Sequence, residues 1–264
     1  MMNYEDLEFC RAELDGHILT VTINRPEVMN SLHPPANFEL EQVFNEFAND
    51  PEQWVAILTG AGDRAFSAGN DLKYHASGSK RGTPETGFAG LTSRFDCDKP
   101  IIAAVNGVAM GGGFEIALAC DLIIAADNAK FALPEPKVGL AALAGGLQRL
   151  PRQIGLKPAM GMILTGRHVS AEEGMALGYV NAVVSQAELM NEARRWAEMI
   201  LQCSPVSIRT SKNTVMHSLD QLELEGAIKG CMSLPSVKTL IDSADFEEGP
   251  AAFAEKRKPK WQGK

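Results

Sequence analysis

The stretch Ile101-Ile102-Ala103-Ala104-Val105-Asn106-Gly107-Val108-Ala109-Met110-Gly111-Gly112-Gly113-Phe114-Glu115-Ile116-Ala117-Leu118-Ala119-Cys120 carries the reading of the fold. Ile101 to Val105 is a short apolar run bounded by Pro100 and Asn106, which predicts a buried strand; the glycine cluster then opens a helical stretch from Phe114 to Cys120. Leu122 to Ala126, immediately after, predicts a further strand. Upstream, Val55 to Thr59 reads the same way. Phe38, Val43, Phe44 and Phe47 recur at helical spacing after Pro34 and Pro35. Nearer the N-terminus, Ile18 to Ile23 follows an Asp15-Gly16 turn and is expected to pair with Leu7 to Leu14 as a hairpin. Strand, helix, strand in this order predicts a layered α/β protein.

Beyond about residue 145 the pattern is mostly helical. Ser170 with Glu173, and Ser185 with Glu188, are spaced as capping boxes, and Gly178 is expected to close the first of these helices. The segment Ser77 to Gly90, rich in Gly, Ser, Thr and Pro, reads as a mobile surface loop. No internal repeat or low-complexity run is present.

With 264 residues the chain can bury a sizeable core without staples. Its five cysteines are an odd number without a C-x-x-C pair, which predicts reduced, mostly inert thiols in a cytoplasmic compartment. The 33 Asp and Glu outnumber the 25 Lys and Arg, and the net charge of -8 argues against nucleic acid as a partner. The N-terminus lacks the blocks of a signal peptide, and no apolar run reaches membrane-span length, so neither export nor a membrane is expected.

Several chemistries lack support. The five histidines show no metal-ligand spacing, so no metal is expected. There is no G-x-S-x-G elbow and no phosphate-binding glycine loop ending in Gly-Lys-Ser or Gly-Lys-Thr. Gly60-Ala61-Gly62-Asp63-Arg64-Ala65 fits the dinucleotide pattern G-x-G-x-x-A after a strand, but Phe66-Ser67-Ala68-Gly69-Asn70 continues poorly as the helix that pattern needs.

Two segments of small residues follow predicted strands: Phe66 to Leu72, and Asn106 to Glu115. A glycine cluster opening a helix leaves backbone N-H groups free to meet a developing negative charge, one half of an oxyanion hole. From composition alone, the same glycines serve equally as a turn or a packing point. Glu115 lies in the first helical turn within an apolar run, and Glu135 is held between Pro134 and Pro136. Each is a candidate acid or base, with dipole complementation and a plain loop as the respective alternatives.

These residues resemble the crotonase, or enoyl-coenzyme A hydratase and isomerase, superfamily, from Asn24-Arg25-Pro26 to Phe253-Ala254-Glu255-Lys256-Arg257. The resemblance is carried most specifically by the block from Lys99-Pro100 through Asn106-Gly107, Gly111-Gly112-Gly113-Phe114-Glu115, Cys120-Asp121 and Phe131 to Pro134-Glu135. It implies a ββα spiral core over residues 1–200 and a helical C-terminal region over 201–264 that covers the site and assembles homotrimers or homohexamers. It also implies backbone oxyanion donors at Asn70 and Gly112 and catalytic carboxylates at Glu115 and Glu135. Coenzyme A contacts are implied at Glu27, Val28, Met29, Ala68, Leu72, Phe253 and Lys256. Coenzyme A is then part of an acyl-CoA thioester substrate, and no separate cofactor is expected.

Retention of both glutamates implies reversible hydration of an enoyl thioester, with isomerisation by Glu135 alone, or a non-catalytic acyl-CoA-binding scaffold, as the alternatives. Gly87 to Thr92, Val184 to Met190 and Glu248 to Arg257 resemble the carnitinyl-coenzyme A dehydratase branch. Two departures bear on the acyl group. Leu143 stands where many hydratases have glycine, and Asn70 where that branch commonly has tryptophan.

Overall fold

The computed structural model describes residues 4–78 and 82–264. Strands β1 (Cys10–Asp15) and β2 (Ile18–Ile23) form the expected hairpin, with Asp15 opposite Ile18 across a turn at Gly16 and His17. Helix α1 (Pro34–Asn49) follows, then β3 (Val55–Gly60), β4 (Ala65–Ser67) and the short α2 (Leu72–Ala76). The same order recurs in β5 (Ile101–Val105), β6 (Val108–Met110) and α3 (Gly112–Ala119), and β7 (Leu122–Ala126) with β8 (Lys130–Ala132) begins a third round. Helices α4 (Gly146–Ile154) and α5 (Leu156–Thr165), strand β9 (Val169–Ser170), α6 (Ala171–Leu177), β10 (Ala182–Val184) and α7 (Leu189–Leu201) complete the core. Four more helices end the chain: α8 (Pro205–Leu219), α9 (Leu224–Cys231), α10 (Pro235–Ile241) and α11 (Ala244–Ala254).

Each round places its longer strand in one sheet and its shorter strand in another, so the chain spirals. The first sheet has the order β1-β2-β3-β5-β7-β10 and is parallel from β2 onward; the second runs β4-β6-β8-β9. This is the strand-strand-helix spiral of the crotonase fold. Strands β3 and β5 are buried along their whole length because both faces of the sheet are covered. Leu58, Ala103 and Val105 face the cluster that contains Leu40, Val43, Phe44 and Phe47 of α1. Their neighbours Ile57, Ile102 and Ala104 face Leu189, Ala193 and Ala197 of α7. Continuous apolar runs rather than alternating ones are what such a sheet selects.

Two expectations are corrected, the cap at Ser185 and the loop from Ser77 to Gly90. Phe38 shares the helical spacing of α1 but is 43 % exposed. Ser185 begins a 3-10 turn without a side-chain cap, while Gln186 turns back to donate to Asp63 O and Asn106 O, so α7 starts only at Leu189. Ser170 does accept from Glu173 N, and Gly178 closes α6 in a left-handed conformation. Of the expected mobile loop, residues 79–81 lie outside the described residues, and its second half is core: Phe88, Ala89 and Gly90 are buried, with Gly90 seated against Glu41 of α1. The dinucleotide pattern at Gly60 opens no helix, since residues 61–64 form bends that lead into β4. Among the described residues no helix is long and apolar enough to cross a membrane, and no cluster of His, Cys, Asp or Glu has the makings of a metal site.

Candidate active site

Strands β4 and β6 run parallel and deliver their following turns to the same place. Where α3 begins, Gly113 touches the backbone of Ser67 so closely that a β-carbon would lie 2.0 Å from Ser67 O, and the two segments meet only because no side chain intervenes. Gly69 is equally close: a β-carbon there would lie 2.8 Å from Gly112 N. The residue after Gly69 is Asn70, so the two expected donors are neighbours.

Both amides are free of the ladders around them. Gly112 is the first residue of α3, where a helix amide has no intrahelical acceptor. Asn70 forms a parallel bridge with Leu32, which uses Gly69 O and Asp71 N and directs the N-H of Asn70 to the opposite side. The segment is tied down from behind. Asp71 accepts from Tyr74 N to cap α2 and pairs with Arg25 Nη1 at 3.1 Å, while Arg25 also donates to Ser31 O. Arg25 of the Asn24-Arg25-Pro26 motif thus braces the strand end that carries Asn70.

The amides open into a cavity of about 380 Å³ lined by Asn70, Gly112, Phe88, Glu115, Glu135 and Leu143, among others. Glu115 is 3 % exposed, with Oε1 accepting from Gly146 N at 2.9 Å. Burial lifts its carboxyl to about 7, and the charge of Glu135 adds to the rise while the Gly146 and Ala144 amides and Arg149 oppose it. Glu135 opens the 3-10 turn Glu135–Val138, and burial raises its carboxyl as well. Its Oε2 is buried without a hydrogen-bond partner, an acceptor left for a proton or a ligand.

Other expected residues fall outside this lining. Glu27, Val28 and Met29 form the turn after Arg25, joined to Ala68 by the hydrogen bond from Ala68 N to Met29 O, and Leu72 follows the cap residue Asp71. Phe253, 87 % exposed, and Lys256 lie at the end of α11 and its exit, and neither lines the cavity. Leu143 lines the rim and is 78 % exposed. Phe88 escaped the sequence reading. Its ring lies where a β-carbon on Gly112 would come within 2.6 Å, so it walls the cavity beside the candidate donor. The positive φ of Gly87, Ala89 and Gly90 holds that ring, and only the two glycines were visible as a signal.

Known proteins share this arrangement of the chain. A carnitinyl-CoA dehydratase from Escherichia coli strain K12 is 45 % identical over 257 residues, covering 95 % of this chain and 97 % of that protein. One from Citrobacter koseri is 44 % identical, with 98 % and 99 % covered. The crystal structure of an enoyl-CoA hydratase from Mycobacterium marinum superposes with a TM-score of 0.91 at 39 % identity, covering 97 % of this chain and 99 % of that one. A carnitinyl-CoA hydratase from Mycobacterium avium superposes with a TM-score of 0.77 at 39 % identity, with the same coverage. The enoyl-CoA hydratase/isomerase family matches over residues 13–264, and this chain belongs to that family.

Proposed function

We propose that this protein is a hydro-lyase that reversibly adds water across the 2,3 double bond of an enoyl-CoA thioester. The observation that carries the reading is that two carboxylates with raised pKa, Glu115 and Glu135, line one cavity with the amide-bearing residues Asn70 and Gly112. Those amides donate hydrogen bonds to the thioester oxygen, so the alkene can send its electrons onto that oxygen. Ionised Glu115 takes a proton from water as the water oxygen bonds to the β-carbon. The enolate then collapses and the α-carbon takes the proton of Glu135. The reverse sequence expels water from a 3-hydroxyacyl thioester. Burial raises both carboxyls, Glu115 to about 7, so near pH 7 Glu115 is present in both its charged and its protonated form.

The test follows the ultraviolet absorbance of a short enoyl-CoA, whose conjugated chromophore hydration destroys. Wild type is expected to bleach it, with Glu115→Ala and Glu135→Ala each slower by about a hundredfold or more. Isomerisation without bleaching would assign Glu135 alone as the base. Thioester binding without any turnover would indicate a scaffold.

A second reading narrows the acyl group. The named relatives dehydrate or hydrate carnitinyl-CoA, and the cavity here adds Tyr74, His75 and Thr83 to its apolar walls. Faster dehydration of carnitinyl-CoA than of 3-hydroxybutyryl-CoA would support it.

For the carrier, Glu27, Val28, Met29, Ala68 and Leu72 are proposed to hold coenzyme A, with Phe253 and Lys256 contributing from the C-terminal region. A homotrimer or homohexamer is proposed for the assembly. Its support is the exposed stripe Leu156, Met160 and Leu164 at four-residue spacing on α5, together with exposed Leu219, Leu224 and Ile228 on α8 and α9. Five free cysteines fit a reducing cytoplasm.

A further inference from the structure

We propose that Arg149 is a positioning residue for Glu115: its guanidinium braces the Gly145-Gly146 turn that holds the carboxylate and supplies the counter-charge beside it. The inference rests on the two-glutamate reading above.

Arg149 lies one turn into α4, and its backbone N-H donates to Gly145 O at 2.8 Å. Side chains on a helix lean toward its N-terminus. Here the guanidinium folds back onto Gly145 itself, so that a methyl group on that residue would come within 2.1 Å of Nη1. Gly145 has φ +104° and is the N-cap of α4, and the next amide, Gly146 N, is the one that donates to Glu115 Oε1. Glu115 is seated on the same turn: a methyl group on Gly146 would meet its Cγ and Oε1 at 3.1 Å each. Arg149 and Glu115 therefore pack on adjacent residues of one turn.

Nothing in the stability of α4 calls for a cation at this point. The macrodipole disfavours positive charge at a helix N-terminus. Among the described residues the guanidinium has no hydrogen bond or ion pair, only the ring of Phe95 at 6.0 Å. It is half-buried, and burial lowers its pKa while Cys120 and Glu115 hold it up. A cation kept partly from water in this way is costly unless a negative charge compensates. Burial pushes the Cys120 thiol up so that it stays neutral, and Glu115, whose carboxyl Arg149 favours in its ionised form, is that charge.

The other groups around Glu115 do not substitute. Glu135 faces it with the same sign. Arg152 of α4 is exposed and donates to Gln148 O, and Lys137 donates to Gly166 O. Strands β4 and β6 and the turn Phe88–Gly90, which also pack on α3, carry no charged side chain.

The experiment titrates the Glu115 carboxyl by carbon NMR in protein labelled at glutamate, with the resonance assigned by its loss in Glu115→Gln. Arg149→Met and Arg149→Gln, shown folded by circular dichroism, are expected to raise the Glu115 midpoint by about one unit, and Arg149→Lys by less, because it keeps the charge. Hydration by the two neutral variants should fall roughly fivefold at pH 7, the loss of ionised Glu115 that such a shift implies, and recover above pH 8, with KM unchanged. An unmoved midpoint in a folded neutral variant, or a rate loss equal at every pH, overturns the proposal. A shifted midpoint in a protein whose wild type hydrates no enoyl thioester would keep Arg149 in this role and overturn the assigned activity instead.

Discussion

The amide of Gly146 donates to Oε1 of Glu115 at 2.9 Å, joining a buried carboxylate on one helix to the first residue of the next. That single bond and a neighbouring amide are all the backbone offers a carboxyl that burial lifts from 4.5 to about 7. The folded protein consequently binds a proton at Glu115 more tightly than the unfolded chain does. The stabilisation from this linkage is complete below pH 4.5 and is lost as pH rises through 7.

Glu115→Gln cannot titrate. Relative to it, wild type should therefore lose up to about 3 kcal/mol of stability between pH 4.5 and pH 8, the free energy of a shift of this size. Urea midpoints for both proteins at pH 5 and pH 8 check this. Parallel curves would mean that the carboxyl ionises without penalty where it lies.

Glu135 is held by shape more than by bonds. A β-carbon on Gly111 would lie 2.8 Å from its Oε1, and its Oε2 has no partner. Gly111→Ala should push this carboxylate aside, lowering kcat by about a hundredfold, while the strained φ of +54° costs the fold about 1 to 2 kcal/mol. Steady-state kinetics beside thermal unfolding separates the two effects. Unchanged kcat would show that Glu135 tolerates displacement and is not placed for proton transfer.

The long strands β3, β5 and β7 were legible because a sheet covered on both faces demands uninterrupted apolar, β-branched runs. The three-residue strands β4, β6 and β8 were not, since three residues carry no period, and their pairing joins segments far apart in the chain. Glu115 and Glu135 stood out by chemistry and by family motif, but their shared cavity depends on the spiral, which the residue pattern alone does not specify. Motif membership also did not separate chemistry from architecture. Lys99 donates to Phe47 O and Asp50 O, and Asp121 accepts from Ile101 N and Lys212 Nζ, so both serve the frame. Phe88 and Arg149 were invisible for the opposite reason, because their roles arise from contacts with glycines whose partners only the fold supplies.

Leu143 combines wide exposure with a place on the cavity rim, so truncating it should alter selectivity without altering the fold. Leu143→Ala is expected to change stability by less than about 0.5 kcal/mol, as for other exposed positions. It should raise kcat/KM for a branched enoyl-CoA relative to the linear four-carbon one by roughly tenfold, the scale of a few methylene contacts. Competition between the two thioesters measures the ratio directly. An unchanged ratio would place Leu143 outside the acyl path.

Asn106 belongs to the most specific motif of the chain, yet its side chain does not reach the cavity lining. Its Nδ2 donates to Gly60 O at 2.9 Å, Gly62 O at 2.8 Å and Ala65 O at 3.2 Å, and its Oδ1 accepts from Gly60 N at 3.2 Å. These bonds pin the bends between β3 and β4 to the end of β5, and Asn106 is 5 % exposed. Alanine there would leave several buried backbone groups unpaired, which should cost about 2 to 4 kcal/mol. Because the pinned bends precede β4, some loss of order is expected to reach Asn70, but the carboxylates stand on other elements. Asn106→Ala should therefore unfold at markedly lower urea while its folded fraction keeps kcat/KM within about tenfold of wild type, the reverse of the pattern expected for Glu135→Ala. A catalytic collapse in a fully stable Asn106→Ala protein would show that this amide acts on the substrate, and the division between frame and chemistry drawn from its hydrogen bonds would be wrong.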